Sequence, residues 1–348
     1  MILALGVRRS VGVGLAAMML LAACGGSSNT GQASPKSLLP ISISAIGEPP
    51  IFLSLYIAVA KQKGYFEKVG LQNPEIRWFQ NGAQVATQVI TGNAVAAATA
   101  TQASEIAMAG GTPIVAIGGM NNQDFFVASN LSDVRGCSDL KGKVVAYDQP
   151  NGARDLYLKA YLATCGLSIS DVKLVSSQNA PLIKAGIAGQ VTTGVFHINE
   201  LASVEADTHK TWTKLERPDV IQKSQHYAML IVQKSSIQSQ RDLLVRFLAA
   251  WILSLRFMQD SKNIDAFAKI ASDATGDPLE ADKLAIAGFQ KIGYWDQTDN
   301  GLTQSRVLGS QKILQSVGAI KANPPPSYND MVDLSLYPDA LKLANSAH

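Results

Sequence analysis

The chain has 348 residues, with 30 Lys and Arg against 27 Asp and Glu for a formal net charge of +3, and it is 47% hydrophobic and 16% charged. A chain of this size can bury one or two large cores, and its near balance of charge excludes the strongly basic surface of a nucleic-acid binder. Two of the positive charges, Arg8 and Arg9, belong to a leader-like segment without which the balance is only +1.

Arg8 and Arg9 precede an uncharged apolar stretch from Val11 to Ala23, about 13 residues against the roughly 20 that span a bilayer, so residues 1–23 read as a cleaved signal peptide. Leu21, Ala22, Ala23 and Cys24 resemble the lipobox of bacterial lipoproteins, where the cysteine takes a diacylglycerol group and becomes the new N-terminus. Cys24 is therefore the expected lipidation site and membrane anchor, with residues 24–39 as a flexible tether, which places the protein on the extracytoplasmic side of a bacterial cell envelope.

From Pro40 the chain alternates short β-rich runs with helical ones. "PISISAI" precedes the helical "IFLSLYIAVAKQKGYF", and "EIRWF" precedes "VATQVITG". "AVAAATA" precedes "TQASEIAMAGG", "PIVAIGGM" follows as a strand, and "KVVAYD" precedes "ARDLYLKAYLATCG". "VKLVSS", "APLIKAGIAG" and "VTTGVFHIN" continue the pattern, which argues for α/β architecture with largely parallel sheets. From Gln240 onward four helical segments are expected to cover a sheet already built, and none of the later apolar runs is long enough to cross a membrane. Cys137 and Cys165 bracket the "KVVAYD" strand and its helix. That helix and strand both run near 20 Å, so the two thiols come close, either as a disulfide or as separately buried groups.

The ordered set "GYFEKVGL", "NGAQVATQVITG", "SEIAMAGGTPIVAIGG", "DLKGKVVAYDQPNGARDLYLKAYLATCGL" and "IAGQVTTGVF" resembles the nitrate, alkanesulfonate, taurine and thiamine-pyrimidine type of solute-binding protein that serves ABC importers. The resemblance runs from about Pro40 to Ala344. It implies the type II periplasmic binding protein fold: two α/β lobes with mixed, mostly parallel sheets, joined by crossover hinge strands and closing on a ligand. Lobe 1 would be 40–125 with 232–348 and lobe 2 126–231, with crossovers near "DFFVASN" and "HYAMLIVQK". It further implies a monomer that needs no cofactor and whose partners are a small-molecule ligand and an ABC permease with its ATPase.

In open α/β sheets ligands sit beyond the carboxyl ends of the strands, where helix N-termini favour anions. Four loops then qualify: Ile46 to Phe52, with Glu48 and Phe52 as walls; Thr99, Thr101 and Gln102; Asn151, Gly152, Ala153 and Arg154; and Phe196, His197, Asn199 and Glu200. The Asn151 to Ala153 turn is the expected oxyanion cradle, with Arg154 adding charge, although Ala153 lacks the hydroxyl found in similar proteins. Phe196 and His197 are expected to stack on a planar ligand, and Asn199 or Glu200 to accept from an amine.

Catalytic patterns are absent or broken. "GCSDLKGKV" has the wrong glycine spacing for a phosphate loop, the four histidines lack metal-ligand spacing, and there is neither a Cys-x-x-Cys pair nor a Gly-x-Ser-x-Gly elbow. The expected function is a non-enzymatic, lipid-anchored solute-binding protein for an organic anion such as a sulfonate or aromatic carboxylate. The alternatives are a neutral pyrimidine-like or flavin-like ligand, or a sensor or enzyme of the same fold.

Overall fold

The computed structural model describes residues 37–215 and 225–347. The expected signal peptide 1–23, the lipidation site Cys24 and the tether up to residue 36 lie outside the described residues.

Ten described strands form two sheets: β1 Ser42–Ile46, β2 Glu75–Phe79, β3 Ala96–Ala100, β4 Ile114–Met120, β5 Phe126–Ser129, β6 Val144–Tyr147, β7 Lys173–Ser176, β8 Thr193–Phe196, β9 Thr213–Lys214 and β10 Ala228–Gln233. The first sheet has the order β2-β1-β3-β10-β4 and the second β7-β6-β8-β5-β9. Each holds one antiparallel strand, β10 pairing antiparallel with β3 and β4, and β5 with β8 and β9. The remaining strands run parallel, so the molecule has two α/β lobes of matching design, each receiving its reversed strand from a chain that has just crossed over. Residues 121–125 make the first crossover, and residues 225–227 lead into β10 from the second. Because β10 belongs to the first sheet, the chain has returned to lobe 1 by Ala228 rather than at 232.

The inner parallel strands β1 and β3, with β4, are largely buried, as their apolar runs require: β4 is buried along its whole length, and β3 is built of alanines and one threonine, whereas the edge strands β2 and β7 are more exposed. The helix Arg241–Gln259 packs between helices Leu55–Gln62 and Tyr337–Ser346, and its Trp251 meets Tyr56 edge-on at 4.6 Å. One late helix does more than cover the first sheet. Leu279–Lys291 packs against the lobe 2 helix Ile198–Thr208, forming an interlobe contact apart from the crossovers.

β8 ends at Phe196 instead of running through Asn199, because Glu200 reaches back to the His197 N–H at 2.9 Å and starts a helix there. Cys137 and Cys165, 6.0 Å apart at Cα, form a disulfide that ties the turn before β6 to the end of the following helix. No helix among the described residues is long and apolar enough to cross a membrane.

Candidate ligand-binding cleft

The six parallel strands that carry helices on to the next strand, β1, β2 and β3 in one lobe and β6, β7 and β8 in the other, end at a shared cleft. Its larger chamber, about 390 Å³, is walled by lobe 1 residues from Ile46 to Ala107 and lobe 2 residues from Asp148 to His197, with Phe125 and Tyr227 of the two crossovers at its back. A smaller chamber of about 130 Å³ continues past Gln80, Asn179, His197 and Tyr227 towards Glu48, Asp277 and Tyr294. The volume lies in the range of small-molecule sites.

Aromatic rings form the back wall. Phe125 lies 4.3 Å from the His197 ring and 6.0 Å from Tyr227, which in turn lies 5.2 Å from Tyr294. His197 is held by Asp124, whose Oδ2 lies 2.9 Å from its Nδ1, so the Nε2 edge is left for the chamber that the residue lines. Side-chain amides make up much of the polar lining. Lobe 1 contributes Gln80, Asn81 and Gln102, and lobe 2 contributes Gln149, Asn151, Gln178 and Asn179.

The turn expected to hold an oxyanion is already occupied by a carboxylate of the chain itself. Asp148 turns back over the start of helix Ala153–Ala163, where its Oδ1 accepts from the Gln149 and Asp155 N–H groups at 2.8 and 3.0 Å and its Oδ2 from the Arg154 N–H at 3.1 Å. Arg154 does not offer a free charge to a ligand either. Its guanidinium, 2% exposed, forms a fork of two 2.7 Å bonds to Glu200 and donates to the Val195 carbonyl. Burial acts most strongly on Glu200 and raises its pKa, but the charge and hydrogen bonds of Arg154, with His197, together outweigh it and leave the carboxyl below its ordinary range. Glu200 also accepts from the Asn179 and His197 N–H groups, so an incoming amine would have to displace existing partners.

The other expected residues divide. Glu48, Phe52, Gln102, Asn151, Gly152, Ala153, His197 and Asn199 line one chamber or the other. Thr99 spends its hydroxyl on the Gly82 carbonyl and Thr101 on His226, both fully buried, because these hydroxyls point under the helix rather than into the cleft. Phe196 is fully buried on the far side of β8, edge-on to Trp212 at 5.2 Å. The sequence reading missed the loops after β2 and β7, although the same strand-end rule selects them, and it missed Asp124, Phe125 and Tyr227, which only the crossovers bring to the cleft. Among the described residues no group of His, Cys, Asp and Glu is arranged to hold a metal.

The profile of the family described as "NMT1/THI5 like" matches residues 52–261, more than half of the chain. The chain belongs to the NMT1/THI5-like family. No curated protein matches it. Among solved structures, the periplasmic nitrate-binding protein NrtA of Synechocystis PCC 6803 superposes with a TM-score of 0.71 at 14% identity, over 88% of this chain and 89% of that one. The alkanesulfonate-binding protein SsuA of Xanthomonas axonopodis pv. citri, bound to MOPS, gives 0.65 at 14% identity, over 83% and 98%. The periplasmic aliphatic sulphonate-binding protein SsuA of Escherichia coli gives 0.65 at 14% identity, over 86% and 92%. At such identities the likeness concerns the fold, which this NMT1/THI5-like chain shares with periplasmic binding proteins.

Proposed function

We propose that this protein is an extracytoplasmic solute-binding protein of an ABC importer, anchored through a lipid on Cys24, that closes its two lobes over a small molecule and presents the closed form to the permease and its ATPase. The observation that carries the reading is the shared cleft: the carboxyl ends of both parallel sheets converge on one chamber backed by the crossover residues Phe125 and Tyr227. A ligand that touches both walls stabilises the closed state by its differential affinity for it. The proteins named above, described as nitrate-binding and sulfonate-binding, support a transport role.

The ligand reading follows the side chains. With Asp148 filling the N-terminus of helix Ala153–Ala163 and Arg154 neutralised by Glu200, a bare anion finds neither that dipole end vacant nor an unpaired cation among the described lining residues. Rings and amides favour a planar, nitrogen-containing molecule over an organic anion. Small-angle scattering with a panel of heterocycles and sulfonates tests this reading. A decrease in radius of gyration, together with a thermal shift equivalent to about 2.7 kcal/mol at 100 times the dissociation constant, is expected for the binding class. Retention of the open dimensions with every class would overturn the solute-binding role.

A further inference from the structure

We infer that Asn179 is a specificity-determining residue: from the waist between the two chambers its side-chain amide donates to an uncharged acceptor on the ligand, a ketone, lactam or amide carbonyl. Arg154 and Glu200 are positioning residues that hold this amide in place. The inference rests on the solute-binding reading above and specifies which group of the ligand the cleft reads.

Asn179 begins the helix Asn179–Ile187, just beyond β7, and lines both chambers. Gln80 of lobe 1 and the back-wall residues His197 and Tyr227 also belong to both, so a molecule that extends from one chamber into the other passes Asn179. The Asn179 N–H donates to Glu200 Oε1 at 3.0 Å, and its Oδ1 accepts from Arg154 Nη2 at 3.4 Å. A guanidinium can only donate, which decides how the amide is turned: the oxygen faces Arg154 and Nδ2 faces away. Among the described residues Nδ2 meets no acceptor, so its two N–H groups are left for the chambers that Asn179 lines. When the lobes shut out water, such a donor gains from an acceptor on the ligand and is left unpaired by an apolar or cationic group.

The backbone keeps the amide at the waist. Asn179 has a φ of 55°, a left-handed conformation that Asn adopts more readily than most residues. Glu200 fixes that turn through the N–H and is itself fixed by two 2.7 Å bonds to Arg154. The buried ion pair thus sets the direction of a group that faces the ligand. It also sets the charge that the ligand meets. Arg154 and Glu200 cancel behind Asn179, so nothing there adds a net attraction for an anion, and Glu48 and Asp277 of the smaller chamber oppose one. An uncharged acceptor suits N–H donors in that setting.

The test titrates the full chain with millimolar acetophenone, benzylamine and benzoate, which carry the same ring and differ in the group presented. Heteronuclear NMR follows the Asn179 side-chain amide, assigned by its absence in Asn179→Gly. Acetophenone is expected to shift that resonance and to bind about tenfold more tightly than either ion. Asn179→Gly accepts the same φ, so it should keep the unliganded melting temperature and lose the preference. Asn179→Asp exchanges the N–H donors for carboxylate oxygens and should reverse the preference towards benzylamine. An ion preferred by the parent, or an unchanged preference in both variants, overturns the inference. Silence with all three probes overturns it too and leaves the solute-binding reading standing, because that reading fails only when the scattering panel of heterocycles and sulfonates gives no compaction.

Discussion

Asp148 occupies the space that Gly152 leaves open: a Cβ on residue 152 would lie 2.1 Å from Asp148 Oδ2 and 2.4 Å from its Cγ. The glycine is thus needed for an internal carboxylate to reach the helix start. Gly152→Ala is expected to displace that carboxylate, deprive the Gln149, Arg154 and Asp155 N–H groups of a charged acceptor and cost about 2–3 kcal/mol in urea unfolding. Asp148→Ala should cost a similar amount and uncover the helix N-terminus, so that sulfate raises its melting temperature more than that of the parent. Equal sulfate responses would show that the carboxylate is not what keeps anions out.

The Arg154–Glu200 pair is closed to water on both sides. Removing one member strands the other as a buried charge, so Arg154→Met or Glu200→Leu alone should destabilise by about 3–5 kcal/mol, while the double variant recovers most of the loss. A double-mutant cycle by chemical unfolding measures this coupling. Additive losses would mean that the fork contributes little beyond its separate contacts.

Two buried groups set opposite limbs of the pH profile. Burial, with the charge of Asp277, pushes Asp282 up to about 7, so the native state keeps a proton that the unfolded chain releases near pH 4. Stability from this group therefore falls as pH rises from about 4 to 7, and Asp282→Asn should gain on the order of 2–4 kcal/mol over the parent at pH 8, with no gain below pH 4. Burial pushes His226 down to about 4, its Nδ1 and Nε2 being held by Thr101 and the Gly301 carbonyl. The unfolded chain binds that proton below about 6.5, so stability from His226 is lost as pH falls from there towards 4. Unfolding free energies of the parent and Asp282→Asn across pH 3 to 9 check both slopes.

The Cys137–Cys165 bridge closes a loop with a sequence separation of 28. Chain-entropy arguments give about 3–4 kcal/mol for such a loop. Thermal unfolding with and without reductant, alongside Cys137→Ser/Cys165→Ser, should show that loss in both cases. An unchanged midpoint under reductant, with the thiols verified free, would remove the structural role.

Much of the architecture was legible because strand and helix segments carry distinct periods. "EIRWF", "PIVAIGGM" and the helix from Arg241 to Gln259 lie where the sequence places them. The cleft was legible only as a list of strand ends. A backbone rule finds Asn151 and Gly152, but it cannot say that Asp148 folds over them, since that depends on a rotamer. Nor can it say that Arg154 turns inward to Glu200, across 46 residues of chain. Thr99 and Thr101 were misplaced for the same reason, as a hydroxyl at a strand end can point into the cleft or under the helix. Phe125 and Tyr227 left no local trace, because their role arises from two crossovers meeting.

The contact between helices Leu279–Lys291 and Ile198–Thr208 limits how the two lobes can move. A rotation about the two crossovers alone would part these helices and wet the apolar surface between them, where a Cβ on Gly288 would come within 3.0 Å of Ile198. Any opening of the cleft must therefore either expose that surface to water, at a cost that grows with the angle, or slide one helix along the other so that the seam stays dry. The first favours narrow apertures, and the second gives the lobes a fixed track with a component along the helix axes. In either case access to the ligand is set partly by residues that never touch it.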